Sequence, residues 1–109
     1  MDDDLLARLT TLYRDLHAHP ELSGEERRTA GIVAARLREL GHEVVEGVGG
    51  TGVVGIARNG AGPTVLLRAD MDALPVTEAT GLAHASEVEG VMHACGHDVH
   101  VTWLLGASS

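Results

Sequence analysis

The sequence has no phenylalanine and no lysine, and among its 109 residues it has one tryptophan, one tyrosine and one cysteine. Without phenylalanine, the core must be built mainly from Leu, Val, Ala and Ile, and small aliphatic side chains each gain little free energy on burial. The single cysteine, Cys95, excludes an intrachain disulfide. Its remaining roles are a buried thiol, a nucleophile or a metal ligand.

Positive charge is also scarce. Eight basic residues, all arginines, face 16 acidic ones, and the formal net charge is -8. Because no basic stripe is present, we expect neither nucleic-acid binding nor adsorption to an anionic membrane surface. The chain opens with Asp2, Asp3 and Asp4 rather than a signal peptide, and it has no apolar run of transmembrane length. These features predict a cytoplasmic location.

Apolar residues at helical spacing predict a helix over residues 2–18. A second helix is predicted to begin at Ser23, where Glu26 at the third following position completes a capping box, and to end at Gly41. Residues 98–107 have the pattern of a further helix.

Three strands are predicted between these helices, over residues 42–46, 53–57 and 64–67. The third is almost continuously apolar, which is typical of a central strand covered on both faces. The order of elements predicts an α/β fold, a layered α/β/α domain with a mixed sheet.

The segment from His93 to His100, with the sequence HACGHDVH, concentrates three imidazoles, a thiol and a carboxylate. If the segment is extended, Cys95 and His97 project to the same side, and Gly96 lets the backbone approach whatever they bind. A thiolate and an imidazole suit zinc or another first-row metal better than calcium or magnesium. This spacing makes Cys95 and His97 candidate metal ligands.

Other interpretations of this segment stay open at this point. The histidines could lie on a solvated loop beside an inert Cys95, or Cys95 could be a nucleophile paired with a histidine. Asp98 could cap the helix that follows or orient a ligating histidine.

A second polar segment, RADMDALP, follows the third predicted strand, at the sheet edge where α/β proteins bind ligands. Asp70 and Asp72 point the same way on extended backbone, so they could serve a metal or hold a histidine in one tautomer. Alternatively, the segment is a solvated turn in which Arg68 neutralises one carboxylate. His17 and His19, before Pro20, could be ligands, but a helix C-terminus explains them better.

The segments HAHPELS, TGVVG, RADMDALPV and MHACGHDVHVT occur in an order and at a spacing that resemble a known family. This family is the amidohydrolase branch of the aminoacylase and carboxypeptidase metallopeptidases, which includes hippurate hydrolases and N-acyl-amino-acid amidohydrolases. The resemblance implies hydrolysis of the amide bond of a small N-acyl amino acid or peptide-like substrate. It also implies two divalent metal ions per complete active site, such as Zn, Mn, Co or Ni.

The resemblance assigns roles residue by residue. Cys95 and His97 match the first two metal-ligand positions, and Asp72 matches the catalytic carboxylate that flanks the metal and orients a ligand. Asp70 stands where distant relatives carry a ligating histidine, and the resemblance implies that the cysteine supplies this ligand instead. Four motif residues are therefore expected near the metal without binding it directly: Asp70, Asp98, His93 and His100.

The same resemblance implies that residues 1–109 are the N-terminal part of the catalytic domain, without the inserted dimerisation or lid domain. The family's general base, one more carboxylate ligand and two histidine ligands are expected beyond Ser109. Glu78, Glu87 and Glu89 do not occupy the general-base position. We therefore predict that this chain alone is nearly inactive, and a homo-oligomer is compatible with the resemblance. The alternative is a non-catalytic, truncated remnant that acts as a weak metal-binding or interaction module.

Overall fold

The computed structural model describes residues 1–109, which form three helices and one β-hairpin. Helix α1 spans Asp3–Ala18, α2 spans Arg27–Glu39 and α3 spans His97–Ala107. Strands β1 and β2 span Glu43–Val48 and Gly52–Ile56. No helix combines the length and the apolar character that crossing a membrane requires.

Helix α2 begins later than the sequence suggests, at Arg27 rather than Ser23. The predicted capping box is wrong, because the carboxylate of Glu21 occupies that role from outside the helix. Glu21 accepts the backbone N–H groups of Arg28 at 2.9 Å and Thr29 at 2.6 Å. These are donors that the first turn of a helix leaves without a partner.

Strands β1 and β2 pair antiparallel, with Glu43 opposite Ile56 and a register shift between Glu46 and Val48. Helix α2 packs against both strands. A Cβ atom at Gly55 would lie 2.9 Å from Cδ1 of Leu37 on α2, so glycine allows the helix to approach the hairpin closely.

The α/β class is confirmed, but the third predicted strand is wrong. Val65, Leu66 and Leu67 belong to no strand, and they are 80%, 84% and 60% exposed. The sheet over residues 1–109 is therefore antiparallel and two-stranded rather than mixed. An apolar run indicates that a segment favours burial and an extended backbone, whereas a strand also needs a neighbouring strand that supplies hydrogen bonds.

The core lies where the three helices meet, because α3 contacts both α1 and α2. It is wholly aliphatic, as the composition requires. A Cβ atom at Gly106 of α3 would lie 2.9 Å from Cδ1 of Leu9 on α1, so glycine allows these two helices to approach closely. Its buried residues are Leu12, Leu16, Val33, Leu37, Val101 and Leu105.

The long segment between β2 and α3 has no helix or strand, but backbone hydrogen bonds hold it against the helices. The N–H of Ala73 donates to the carbonyl of Glu21 at 2.8 Å, and Leu74 and Met92 exchange two hydrogen bonds of 2.9 Å. These bonds place the segment that contains Asp72 near the start of α3.

Candidate functional site

The candidate ligand His97 is the first residue of α3 and follows a sharp turn at Gly96. Gly96 has φ +85°, a left-handed conformation that side chains other than glycine rarely adopt. The segment around Cys95 and His97 is therefore not extended, and the geometric premise of the sequence prediction was wrong. Cys95 instead lies immediately before a tight turn, and His97 immediately after it at the start of α3.

Asp72 holds the ring of His97. Nδ1 of His97 lies 2.8 Å from the carbonyl oxygen of Asp72 and 2.9 Å from its Oδ1. Both partners are acceptors, so the proton of a neutral ring resides on Nδ1 and the lone pair on Nε2. A second partner that fixes the tautomer in this way is the usual arrangement of a metal-ligating histidine.

Cys95 provides an exposed, free thiol next to this turn. No group of three or more His, Cys, Asp or Glu side chains is arranged to hold a metal ion. Zinc sites use three or four protein ligands, and thiolate and imidazole are among those it prefers. The donor chemistry of Cys95 and His97 thus fits a divalent metal, but two side chains are fewer than a zinc site uses.

Asp70 and Asp72 have different partners, although they stand two residues apart. Asp70 is exposed and pairs with Arg68 at 2.7 Å, as the solvated-turn interpretation predicts. Asp72 is half-buried and contacts His97. Only the second carboxylate touches a candidate ligand.

His93 is buried, and neither of its ring nitrogens has a hydrogen-bond partner. Burial lowers the pKa of His93 below its ordinary value of 6.5, although the nearby Asp98 carboxylate opposes this shift. The ring is consequently neutral at neutral pH. It lies within the motif but does not contribute to the surface on which the Cys95 thiol is exposed.

His100 lies one turn along α3 from His97, with ring centroids 5.8 Å apart, and its other neighbour is Trp103 at 5.7 Å. His100 also lines a shallow concavity of about 270 Å³ together with Arg68, Ala69 and Asp70. This concavity lies beside the candidate ligand His97 and is open to solvent.

Asp98 lies in the first turn of α3, where it accepts one of the free N–H groups of the helix but makes no hydrogen bond with the His97 ring. Its Oδ2 accepts from Nδ1 of His17 at 2.7 Å, and its Oδ1 accepts the N–H of Val99 at 2.9 Å. On the other side of the ring, Nε2 of His17 lies 3.0 Å from Oε1 of Glu78. Sequence reasoning gave His17 a helix-terminal role and missed Glu78 as its partner, since nothing in local spacing links these residues.

The chain is similar in sequence and in fold to proteins of one peptidase family. Residues 66–108 match the family described as Peptidase family M20/M25/M40. Thermostable carboxypeptidase 1 of Saccharolobus solfataricus is 59% identical over 99 residues, which cover 89% of this chain and 25% of the relative. Hippurate hydrolase of Campylobacter jejuni is 48% identical over 106 residues, which cover 96% of this chain and 28% of the relative.

Among solved structures, the chain is similar to the YxeP protein of Bacillus subtilis, described as a dinuclear metal-binding peptidase from the M20 family. The TM-score is 0.89 at 42% identity, covering 96% of this chain and 30% of that chain. The chain spans about a quarter of the length of the two relatives above. High identity to these relatives along nearly the whole chain, the match of residues 66–108 and the shared fold confirm the resemblance of the chain to peptidase family M20/M25/M40.

Proposed function

We propose that this chain supplies the Cys95 and His97 part of the active site of a metal-dependent amidohydrolase that acts on N-acyl amino acids or related conjugates. The observation that carries the proposal is the contact of Asp72 with Nδ1 of His97, which leaves Nε2 free to bind a cation. The hydrolase named in Campylobacter jejuni supports the substrate class, and the dinuclear peptidase of Bacillus subtilis supports the use of metal.

In this proposal each residue has a separate task. Cys95 and His97 bind the cation, and Asp72 keeps His97 in the tautomer that can bind. A divalent ion held there would activate water and polarise an amide carbonyl. A small substrate would approach across the shallow concavity lined by His100 and Asp70.

The remaining parts of the proposal rest on the resemblance and the composition. Residues 1–109 would be the N-terminal part of a catalytic domain that holds two ions of Zn, Mn, Co or Ni. A cytoplasmic location and a homo-oligomeric state stay predictions.

Zinc affinity of the purified chain tests the proposal. We expect competition with a chromophoric chelator to show zinc binding by the wild-type chain and strong weakening in Cys95→Ser and in His97→Gln. The matched control is His19→Gln, which removes an imidazole that pairs with Asp15 and Glu87 away from the site. Equal zinc affinity in all four proteins would contradict the proposal.

Turnover tests how complete the site is. Because two ligands and no assigned general base lie within residues 1–109, we expect the purified chain to hydrolyse hippurate no faster than buffer. Hippurate hydrolysis that a chelator abolishes would show instead that these residues suffice for catalysis.

A second candidate function is a metal-binding or interaction module without turnover. One observation favours it, namely that no cluster of three metal-binding side chains exists over residues 1–109. Zinc binding without hydrolysis, in a protein whose native mass equals the 11.4 kDa of this chain, would favour this candidate.

A further inference from the structure

A buried ionic network lies behind the candidate site and joins three parts of the chain. His17, near the end of α1, is held between Asp98 on α3 and Glu78 in the long connecting segment. The three side chains are only 6%, 2% and 3% exposed. Burial at this level is unusual for ionisable groups and demands that each one be paired.

The geometry requires a protonated ring. Nδ1 and Nε2 of His17 both face carboxylate oxygens, at 2.7 Å and 3.0 Å, and only an imidazolium donates from both nitrogens. Burial alone disfavours the charged ring, but the hydrogen bonds and charges of Asp98 and Glu78 outweigh it and raise the pKa of His17. The network therefore contains one cation between two anions.

Both carboxylates belong to segments that position the candidate site. Asp98 directly follows His97 in the first turn of α3. Glu78 accepts the N–H of Ser86 at 2.9 Å and the hydroxyl of Thr80, and so organises the segment that continues from Asp72. The His17 imidazolium thus links the start of α3, which carries His97, to the connecting segment that continues from Asp72.

We propose that His17 is a positioning residue for cation binding by Cys95 and His97, acting through Asp98 and Glu78. This inference rests on the proposed function. Without His17, two buried carboxylates would be left without a counter-charge, and their mutual repulsion would displace the start of α3. Displacement of Asp98 moves His97, because the two are neighbours in the chain.

The test uses Co²⁺ as the probe and the purified 109-residue chain. Thiolate ligation gives Co²⁺ a charge-transfer absorption that reports directly on Cys95, and titration gives its affinity. We expect His17→Gln to weaken Co²⁺ binding by roughly tenfold or more and to alter this absorption, as loss of a supporting partner does at metal sites. Circular dichroism at the same temperature restricts the comparison to folded protein.

His19→Gln is a matched control, because His19 also pairs with two carboxylates, Asp15 and Glu87, but is 37% exposed and pairs with neither Asp98 nor Glu78. It is expected to keep wild-type affinity and absorption. If His17→Gln lowers thermal stability but leaves the Co²⁺ affinity and the thiolate absorption unchanged, the role of His17 is merely structural and the inference fails. If the wild-type chain lacks the thiolate absorption altogether, the proposed function itself fails.

A second variant keeps the inference testable if His17→Gln does not fold. Glu78→Gln removes one charge while retaining the shape of the side chain, and we expect an intermediate loss of Co²⁺ affinity. Wild-type affinity and absorption in folded Glu78→Gln would then overturn the inference.

Discussion

At the scale of single residues, the contact between Asp72 and His97 distinguishes a prepared ligand from an ordinary surface histidine. The two acceptors on Asp72 fix the Nδ1 proton and the ring orientation before any cation arrives. Such supporting partners commonly change metal affinity about tenfold to hundredfold when they are removed.

Asp72→Ala is therefore expected to weaken zinc binding by about tenfold. The loss stays at the lower end of this range, because the backbone carbonyl of residue 72 remains an acceptor for Nδ1. Isothermal titration calorimetry measures the effect. Asp70→Ala is the matched control, since Asp70 pairs with Arg68 instead, and an equal loss of affinity in both variants would contradict the role given to Asp72.

The network around His17 predicts a definite pH dependence of stability. The carboxyl of Glu78 is buried, which opposes ionisation, but bonds from Thr80, Ser86 and His17 lower its pKa from 4.5 to about 2. Its stabilisation is present above pH 4.5 and is lost as the pH falls toward about 2. The raised pKa of His17 means that its stabilisation is complete below pH 6.5 and is lost as the pH rises through the raised value.

We therefore expect the network to stabilise the fold most between pH 4.5 and 6.5. Urea unfolding at several pH values measures this stabilisation as the difference in unfolding free energy between wild type and His17→Gln. The same measurement on Glu78→Gln isolates the part of the stabilisation that is lost at acidic pH. Buried His93 has the opposite pH dependence, and because the charge of His17 helps to lower the pKa of His93, its contribution does not cancel fully in the difference. The groups that face His17 are Asp98, Glu78, Tyr13 and His84. A difference that does not vary with pH would contradict a charged network.

Sequence reasoning reached some of these residues and not others, for physical reasons. Cys95, His97 and Asp72 belong to two dense polar motifs, so their types and spacing are visible in the sequence. The bonds of His17 to Glu78 and Asp98 span 61 and 81 positions. They arise because α1 packs against α3 and the connecting segment that carries Glu78 lies beside it, and no local pattern encodes that packing.

At the scale of elements, the start of α3 depends on the left-handed turn at Gly96. Replacing a left-handed glycine with alanine costs about 1–2 kcal/mol, because Cβ then crowds the following carbonyl. At position 96 the strained residue would also lie directly between the candidate ligands Cys95 and His97.

Gly96→Ala is expected to lower the unfolding free energy by about 1–2 kcal/mol and to weaken zinc binding as well. The matched control is Gly81→Ala, at φ +73° and with open space around its Cβ, which should lose similar stability but keep zinc affinity. Denaturant unfolding and a zinc competition assay measure the two quantities. Unchanged zinc affinity in Gly96→Ala would contradict the importance of this turn.

Element prediction succeeded where periodicity alone decides the structure and failed where a partner is needed. Helix α1 and both strands of the hairpin lie close to their predicted ranges, since each is specified by local sequence. Residues 64–67 have the composition of a buried strand, yet no neighbouring strand is present to pair with them.

At the scale of the whole molecule, this unpaired segment leaves a continuous apolar surface at Val65, Leu66 and Leu67. Exposed apolar segments with free backbone groups promote association. Leu66→Glu is therefore expected to reduce self-association of the chain, measured by sedimentation velocity over a range of concentrations. Leu6→Glu is the control, because Leu6 is also exposed, at 54%, but lies on α1 away from this segment. Equal association of wild type and Leu66→Glu would contradict this prediction.

The central claim is that Cys95 and His97 together bind a divalent cation. Zinc K-edge X-ray absorption of the zinc-loaded chain tests it most directly. We predict one sulfur neighbour at about 2.3 Å and at least one imidazole nitrogen at about 2.0–2.1 Å, with the sulfur neighbour lost in Cys95→Ser. A wild-type spectrum with only oxygen or nitrogen neighbours, unchanged by Cys95→Ser, would contradict the claim.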